Sequence, residues 1–158
     1  MQRNQPLPPP KPPVRKAFAY ITSGTRLLVF THPDHPDAGI QVPGGTIGTG
    51  EDPADAALRE AIEETGLDGL RVGRWLGRDV FDATPFGREE LHDRWFWHIE
   101  VEGTPAESWR HGEFFAANGS SGPIAFDFFW VDLAGPLPDL IADHDRFIPE
   151  LKAALGIG

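Results

Sequence analysis

Three glutamates and one arginine lie close together in a short segment of this sequence. Glu60 directly follows Arg59, and Glu63 and Glu64 come three and four residues after Glu60. Glu51 precedes them all. On a helix, residues at positions i, i+3 and i+4 share one edge. Carboxylates held this close repel one another, and a divalent cation reverses that repulsion because hard cations prefer carboxylate oxygens. The spacing therefore predicts a site for Mg²⁺ or Mn²⁺.

The residues around these acids predict a short helix over residues 53–65. Asp52 is a good N-cap, Pro53 suits the first helical position, and Gly66 can adopt the left-handed conformation that ends helices. The side of the helix that packs on a core is predicted from small and apolar residues at helical spacing: Ala54, Ala57, Leu58, Ala61, Ile62 and Thr65. We expect the glutamates to face outward. The glycine-rich loop over 43–50 lets the backbone approach a metal ion or a phosphate closely.

A solvated acidic surface is the alternative interpretation of three glutamates on a helix. The neighbouring positions favour the metal site. From Gly45 to Leu67 the chain reads Gly, five residues, Glu, seven residues, Arg-Glu, two residues, Glu-Glu, one residue, Gly and an apolar residue. This segment resembles the Nudix box, the signature of the MutT-like Nudix hydrolase superfamily. The resemblance implies an α/β fold, a Nudix-type α/β/α sandwich with a central mixed sheet, and hydrolysis of a diphosphate linkage.

The resemblance also implies roles for individual residues. In the family, the glutamate of the Arg-Glu pair and the two adjacent glutamates bind the metal ions. Three positions of this chain correspond to those ligands: Glu60, Glu63 and Glu64. The backbone carbonyl of Gly44, just before the box, is a further candidate ligand. Arg59 is expected to hold Glu51 by a bidentate ion pair, and Glu51 is itself a candidate ligand.

The identity of the general base is left open by the sequence. Inside the box the candidates are Glu60 and Glu64, and we favour Glu64. Four acids outside the box lie in regions that could fold over the site: Glu89, Glu90, Glu107 and Glu113. Because crowding raises the pKa of a carboxyl and a cation lowers it again, we expect turnover to require Mg²⁺ or Mn²⁺ and to favour alkaline pH.

Three functions compete for such a chain. The first is a metal-dependent hydrolase acting on a nucleoside diphosphate derivative, which leaves nucleotides, nucleotide sugars and dinucleoside polyphosphates open. The alternative is a non-catalytic module that senses a nucleotide with the same fold, although such relatives usually lose glutamates of the box. The third, an isomerase of isoprenoid diphosphates, requires a catalytic cysteine, and this chain has none.

Composition agrees with one enzyme domain. The 158 residues are 40% hydrophobic and 24% charged, which is ordinary for a globular protein. The net charge of −10 argues against stable binding of nucleic acid. Without a membrane-length apolar run or a secretory signal, we expect a cytoplasmic protein that binds a small molecule and no membrane, with a homodimer left open. Prolines predict a disordered tail over 1–13, followed by a single domain over 14–158.

The remaining segments predict alternating strands and a closing helix. Strands are predicted over 14–22, 26–31, 40–42, 70–81, 90–101 and 124–133, and a helix over 139–155. Residues 102–123 form a long excursion that we expect on the substrate side, because long loops in compact domains are often functional. His32 and His35 are spaced like a pair of transition-metal ligands, with a turn-rich loop beside the site as the alternative.

Overall fold

The computed structural model describes residues 11–113 and 124–158. Its strands are β1 (Val14–Ser23), β2 (Arg26–Thr31), β3 (Gly44–Thr46), β4 (Leu70–Asp82), β5 (Leu91–Val101), β6 (Ser108–Glu113) and β7 (Ile124–Asp132). Its α-helices are α1 (Pro53–Thr65) and α2 (Ile148–Leu155). Most of the predicted tail, together with the segment 114–123 of the predicted excursion, lies outside the described residues.

The strands form one mixed sheet in the order β4-β5-β1-β2-β7-β6. β1 lies parallel to β5 and antiparallel to β2 and β3. It pairs with β2 only at Thr22 and Ser23, and its first half, Lys16 to Phe18, pairs with β3 instead. One edge of β1 is therefore shared by two strands. This arrangement brings β3, which opens the predicted box, to the middle of the sheet.

Alternation along β1 divides the core into two layers. Ala17, Ala19 and Ile21 point to the side where α1 packs, and Phe18 and Tyr20 point to the side where α2 packs. The sheet is therefore covered by helix on both faces, as the predicted α/β/α sandwich requires. None of the helices in the described ranges has the length and hydrophobicity of a membrane span.

The limits of α1 are those that the sequence predicts. The side chain of Asp52 accepts hydrogen bonds from the backbone N–H groups of Ala54 and Asp55, at 2.8 and 3.4 Å. Pro53 stands in the first turn, and Gly66 ends the helix in the left-handed conformation at φ 71°. Both ends are thus fixed by local chemistry, and the helix holds its glutamates at defined heights above the sheet.

Three segments differ from the prediction. The strand predicted over 40–42 is a single bridge between Gln41 and Phe30, and the strand that enters the box is β3 instead. The closing helix begins at Ile148 rather than at residue 139, and residues 141–143 form only a short 3-10 turn. Pro149 explains the late start, because proline lacks an N–H and its ring clashes with the carbonyl four residues before it in a continuing helix. The excursion after β5 is not all loop either. Its segment Ser108–Glu113 is strand β6, which pairs with β7 at the edge of the sheet.

Candidate active site

Arg59 organises the acidic cluster formed by Glu51 and the glutamates of α1. Its Nε and Nη2 atoms donate to the two carboxylate oxygens of Glu51 at 2.8 and 2.9 Å, which is the predicted bidentate ion pair. Its Nη1 atom donates to Glu60 at 2.9 Å and to Glu63 at 3.4 Å. Nη2 also donates to the carbonyl of Thr46 at 3.1 Å. One guanidinium thus ties three carboxylates of the predicted site to β3.

The strong contact with Arg59 keeps Glu51 ionised. The Arg59 guanidinium, followed by a hydrogen bond from the N–H of Gly48, lowers the pKa of Glu51 from 4.5 to about 2. A lowered pKa means that this contact stabilises the fold fully above pH 4.5 and that the stabilisation is lost as the pH falls toward 2. The ion pair is therefore intact throughout the neutral and alkaline range.

Glu60 and Glu64 are buried, whereas the sequence predicts that they face outward. Only 9% of Glu60 and 6% of Glu64 is exposed, while the side chain of Glu63 is 52% exposed. The reason is that the neighbouring strand, β3, has glycines without side chains at the two positions beside these carboxylates. A Cβ atom at Gly45 would lie 2.4 Å from the Glu60 carboxyl carbon, and the N–H of Gly44 points to Glu64 Oε2 at 3.4 Å. The glycines make room for two carboxylates between helix and sheet.

The outer edge of β3 faces this cluster with its own oxygens. In an antiparallel pair of strands, opposite residues that exchange backbone hydrogen bonds alternate with opposite residues that do not. Ala19 N–H donates to Pro43 O and Ile47 N–H donates to Arg15 O, so the opposite residues Phe18 and Gly44 exchange no such bond. The carbonyl of Gly44 therefore points away from β1. Its N–H already points toward Glu64 on that side. The carbonyl of Gly44 therefore lies on the edge of β3 that is turned away from β1.

The chemistry of this donor set fits a hard divalent cation, since it consists of glutamate carboxylates and a backbone carbonyl. No group of three or more histidine, aspartate or glutamate side chains within 11–113 and 124–158 is arranged to hold a metal ion as it stands. Glu51, Glu60 and Glu63 instead surround the guanidinium of Arg59. Metal binding by Glu60, Glu63, Glu64 and Gly44 accordingly stays a prediction.

The far end of α1 is fixed by β6, a contribution that the sequence analysis missed. Trp109 Nε1 donates to the carbonyl of Thr65 at 2.9 Å, and His111 Nδ1 donates to the carbonyl of Glu64 at 2.8 Å. These bonds satisfy carbonyls that a helix leaves free at its C-terminus. The alternation of Trp109 and His111 is the strand signal that could have revealed their common direction.

A cavity of about 770 Å³ adjoins the acidic cluster. Gly44 and Gly45 belong to its wall, so the cavity and the cluster meet at the same two residues. The 3-10 turn Thr84–Phe86 contributes Phe86, which is 51% exposed and packs on Phe81 with ring centroids 5.6 Å apart. The rest of the lining is Lys16, Phe18, Asp37, Ala38, Gln41, Ala83, Pro85, Arg88, His92, Arg94, Ile141, Ala142 and His144.

Lys16 lies between the cavity and the acidic cluster, and the sequence analysis did not single it out. Its Nζ atom donates to Thr46 Oγ1 at 2.9 Å. Burial, and next the positive charge of Arg88, lower the pKa of Lys16, while Glu90 and Glu60 act in the opposite direction. Lys16 and Arg88 thus face the same cavity in a protein of strongly negative net charge. Such a pair is suited to phosphate oxygens.

Of the acids outside the box, two have side-chain partners and one lines another cavity. Glu107 pairs with Arg26, Glu90 accepts a hydrogen bond from His92 at 2.8 Å if that nitrogen carries the proton, and Glu89 lines a separate cavity. The side chain of Glu113 lies outside the described part. His32 and His35 contact each other edge to face with centroids 6.3 Å apart, but no metal-binding group of three includes them in the described ranges. The identity of the general base therefore stays a prediction, with Glu64 favoured inside the box.

Comparison with known proteins identifies a matching family model and several similar folds. A family model described as the NUDIX domain matches residues 12–151. The fold is similar to that of a UDP-X diphosphatase, with a TM-score of 0.61, 18% identity, and coverage of 96% of this chain and 68% of that one.

Two further solved structures share the fold. An ADP-ribose pyrophosphatase from Streptococcus suis has a TM-score of 0.54 and 22% identity, with coverage of 92% of this chain and 91% of that one. A NUDIX hydrolase from Nitrosomonas europaea has a TM-score of 0.60 and 17% identity, with coverage of 90% of each chain. At these identities the likeness concerns the fold.

Proposed function

The chain belongs to the NUDIX domain family, and we propose that it hydrolyses the diphosphate linkage of a nucleoside diphosphate derivative with the help of Mg²⁺ or Mn²⁺. The single observation that carries the proposal is the position of Gly44 and Gly45. These residues border the buried carboxylates on one side and the cavity on the other. A diphosphate in the cavity would therefore lie against the acidic cluster. The names of two structural relatives, a UDP-X diphosphatase and an ADP-ribose pyrophosphatase, support this class of substrate.

We assign the cation to Glu60, Glu63, Glu64 and the carbonyl of Gly44. When bound there, a divalent cation would neutralise charge on the diphosphate and lower the pKa of a water molecule. The role of Arg59 is to position the carboxylates, since it binds Glu51, Glu60 and Glu63 at once. Glu51 fixes Arg59 in turn, because it accepts two hydrogen bonds from the guanidinium.

The reaction needs a proton acceptor, and we assign that role to Glu64. The water oxygen forms a bond to phosphorus, its proton passes to the carboxylate, and the bridging P–O bond breaks so that the leaving phosphate departs with the bridging oxygen. Lys16 and Arg88 contact the phosphate oxygens from the cavity side. Because Glu64 is buried beside the Gly44 backbone, its carboxylate is held in place before substrate binds.

The function is tested by product analysis with a panel of diphosphates. ADP-ribose, nucleotide sugars, nucleoside di- and triphosphates and dinucleoside polyphosphates are incubated with the full chain and Mg²⁺ in ¹⁸O-labelled water. We expect at least one nucleoside diphosphate derivative to be cleaved, with a single ¹⁸O atom in a phosphate product. Tight binding without cleavage across the panel would favour the nucleotide-sensing module instead. Neither binding nor cleavage would contradict both.

Gly45→Ala is expected to lower kcat by about 100-fold with little change in the overall fold. The new Cβ would lie 2.4 Å from the Glu60 carboxyl carbon, so Glu60 must leave its place. A loss of about 2.7 kcal/mol of transition-state stabilisation corresponds to that factor. Steady-state kinetics and thermal unfolding measure the two effects.

Gly103→Ala is the matched control for a glycine outside the site. The backbone of Gly103 is left-handed, at φ 80°, so this variant is expected to unfold at a lower temperature, but its kcat should be unchanged. An active Gly45→Ala enzyme would contradict the assigned role of Glu60.

Phe86→Ala is expected to raise KM roughly tenfold and to change kcat little, because stacking of a base on an aromatic ring contributes about 1–3 kcal/mol. Phe86 is half exposed at the cavity and rests on Phe81, so its ring is available to a planar group. Phe86→Tyr keeps the ring and should retain the KM of the unchanged protein. The measurement is kcat and KM on the substrate that the panel identifies. Equal KM values for the alanine and tyrosine variants would exclude stacking on this residue.

We also propose that residues 14–158 form the single catalytic domain and that the proline-rich segment 1–13 has no catalytic role. The family model begins at residue 12, close to the start of β1 at Val14.

A further inference from the structure

One wall of the cavity is built from a strained segment before α2. Ile141, Ala142 and His144 all line the cavity. Ala142 and Asp143 both have a φ of 54°, in the left-handed region that residues other than glycine avoid. Because this conformation is unfavourable for a residue with a Cβ atom, the surrounding structure must hold the segment in place.

The contacts that hold this wall come from the sheet. Arg94, only 1% exposed, donates from Nη1 to the carbonyl of Ala142 at 2.7 Å. Two further bonds of 2.7 Å from the same guanidinium bind the carboxylate of Asp79. The hydroxyl of Tyr20 donates to the carbonyl of His144. A buried, fully engaged arginine and a buried tyrosine thus fix the backbone on which His144 stands.

The tautomer of His144 follows from its backbone partner. The N–H of Val42 donates to His144 Nδ1 at 3.2 Å, so Nδ1 carries no proton. The neutral ring must then carry its proton on Nε2. Burial lowers the pKa of His144 to about 3, with the charge of Arg94 acting in the same direction, so the ring stays neutral near pH 7.

The Nε2 proton of His144 has no acceptor among residues 11–113 and 124–158. Within the described residues, two nitrogens without a partner are fully enclosed by protein, His32 Nδ1 and Trp97 Nε1. Nε2 of His144 is not enclosed in this way. It therefore reaches open space, and the space beside this ring is the cavity. The ring itself packs on Phe18 with centroids 4.8 Å apart, which fixes its direction.

We propose that His144 determines substrate specificity by donating its Nε2–H to an uncharged acceptor atom on the nucleoside part of the substrate. A neutral donor suits the oxygen or ring nitrogen of a base or a sugar, whereas the cations Lys16 and Arg88 suit the phosphates. This inference rests on the proposed function, because it assumes that a nucleoside diphosphate derivative occupies the cavity. It assigns a contact on the face of the sheet where Phe18 and α2 pack, whereas Glu60 and Glu64 belong to α1 on the opposite face.

The first test observes the ring directly in the unaltered full chain. Long-range ¹H–¹⁵N NMR distinguishes the two ring nitrogens, and the His144 signals are assigned by their loss in His144→Asn. We expect an unprotonated Nδ1 and a protonated Nε2 at pH 7. Addition of AMP, GMP, CMP and UMP without divalent cation should shift the Nε2 signal with at least one of them. No binding by any of the four, binding without a shift, or the opposite tautomer would overturn the proposal.

A matched pair of variants separates contact with the ligand from support of the backbone. His144→Asn places an amide near the position of Nδ1 and can still accept from Val42, but it does not reach the position of Nε2. His144→Gln reaches that position with a donor. We expect His144→Asn to bind the selected nucleotide roughly 3- to 10-fold more weakly and His144→Gln to recover most of the loss. Equal binding by His144→Asn and the unaltered protein would contradict the contact.

The two levels of the proposal fail in different ways. These nucleoside monophosphates contain no diphosphate linkage, so their binding does not depend on hydrolysis. A shifted Nε2 signal in a protein that cleaves no diphosphate would reject the proposed reaction and keep the contact. If the protein cleaves a diphosphate but none of the four nucleotides shifts the Nε2 signal, the proposed reaction is kept and the contact is rejected.

Discussion

Glu64→Gln is expected to lower kcat by about a thousandfold or more, which corresponds to a loss of about 4 kcal/mol of transition-state stabilisation. The change removes a negative charge that we assign both to the cation and to the proton of the attacking water. It is nearly isosteric, and an amide oxygen can still accept from the N–H of Gly44, which approaches Glu64 at 3.4 Å. We therefore expect the fold to persist, as measured by circular dichroism and thermal unfolding beside the kinetics.

The control for this prediction stands on the same helix. Asp55 is an exposed carboxylate in the first turn of α1, and Asp55→Asn removes the same charge outside the cluster. It should keep kcat within about twofold, because it loses only a helix-dipole contribution of about 0.3–1 kcal/mol to stability. Glu63→Gln should also lose orders of magnitude in kcat. If Glu63→Gln and Glu64→Gln both keep the kcat of the unaltered protein, the assignment of the site is contradicted.

The Nudix box carries most of what the sequence could predict. It predicts the family, the hydrolase class and the mixed α/β fold, and all three are confirmed. The helix that holds it, Pro53–Thr65, is predicted to the residue because both caps are local. The ion pair between Arg59 and Glu51 is present for the same reason, since the seven residues between them lie in one short loop and the first two turns of the helix.

Burial of the acids is what local reasoning misses. An acidic edge on an isolated helix faces water, so the sequence predicts exposed glutamates. Only the pairing of β3 with β1 brings Gly44 and Gly45 over the helix, where the absence of side chains leaves space for Glu60 and Glu64. The glycines are visible in the sequence, but the helix face that they cover is decided by the sheet.

The walls of the cavity depend on contacts across still greater distances. The bond between Arg94 and Ala142 spans 48 positions, and the bond between Val42 and His144 spans 102. No local pattern marks such partners, and the same segment misled the prediction of the closing helix. Its apolar spacing resembles a helix from residue 139, whereas Pro149 and the left-handed Ala142 require a break.

Removal of divalent cations is expected to abolish turnover, and addition of Mg²⁺ or Mn²⁺ to restore it. Without a divalent cation, the negative charges of the diphosphate and of the acidic cluster would repel each other, and the guanidinium of Arg59 carries a single positive charge among three of the carboxylates. The enzyme is dialysed against a chelator, the chelator is removed, and phosphate release is followed as each cation is added. NaCl at equal ionic strength controls for screening. Unchanged turnover after exhaustive chelation would contradict the proposed role of the cation.

A second measurement separates a specific site from general attraction to a protein of charge −10. A cation that binds only the folded state at 100 times its Kd stabilises that state by about 2.7 kcal/mol, which should raise Tm by roughly 5–10 °C. Asp55→Asn, with one charge fewer, should keep this increase because its carboxylate lies outside the assigned ligand set. Glu64→Gln carries the same net charge as that control and should lose most of it. Since the two variants differ only in where the charge is removed, an equal increase in both would locate the bound cation somewhere other than the buried carboxylates beside Gly44.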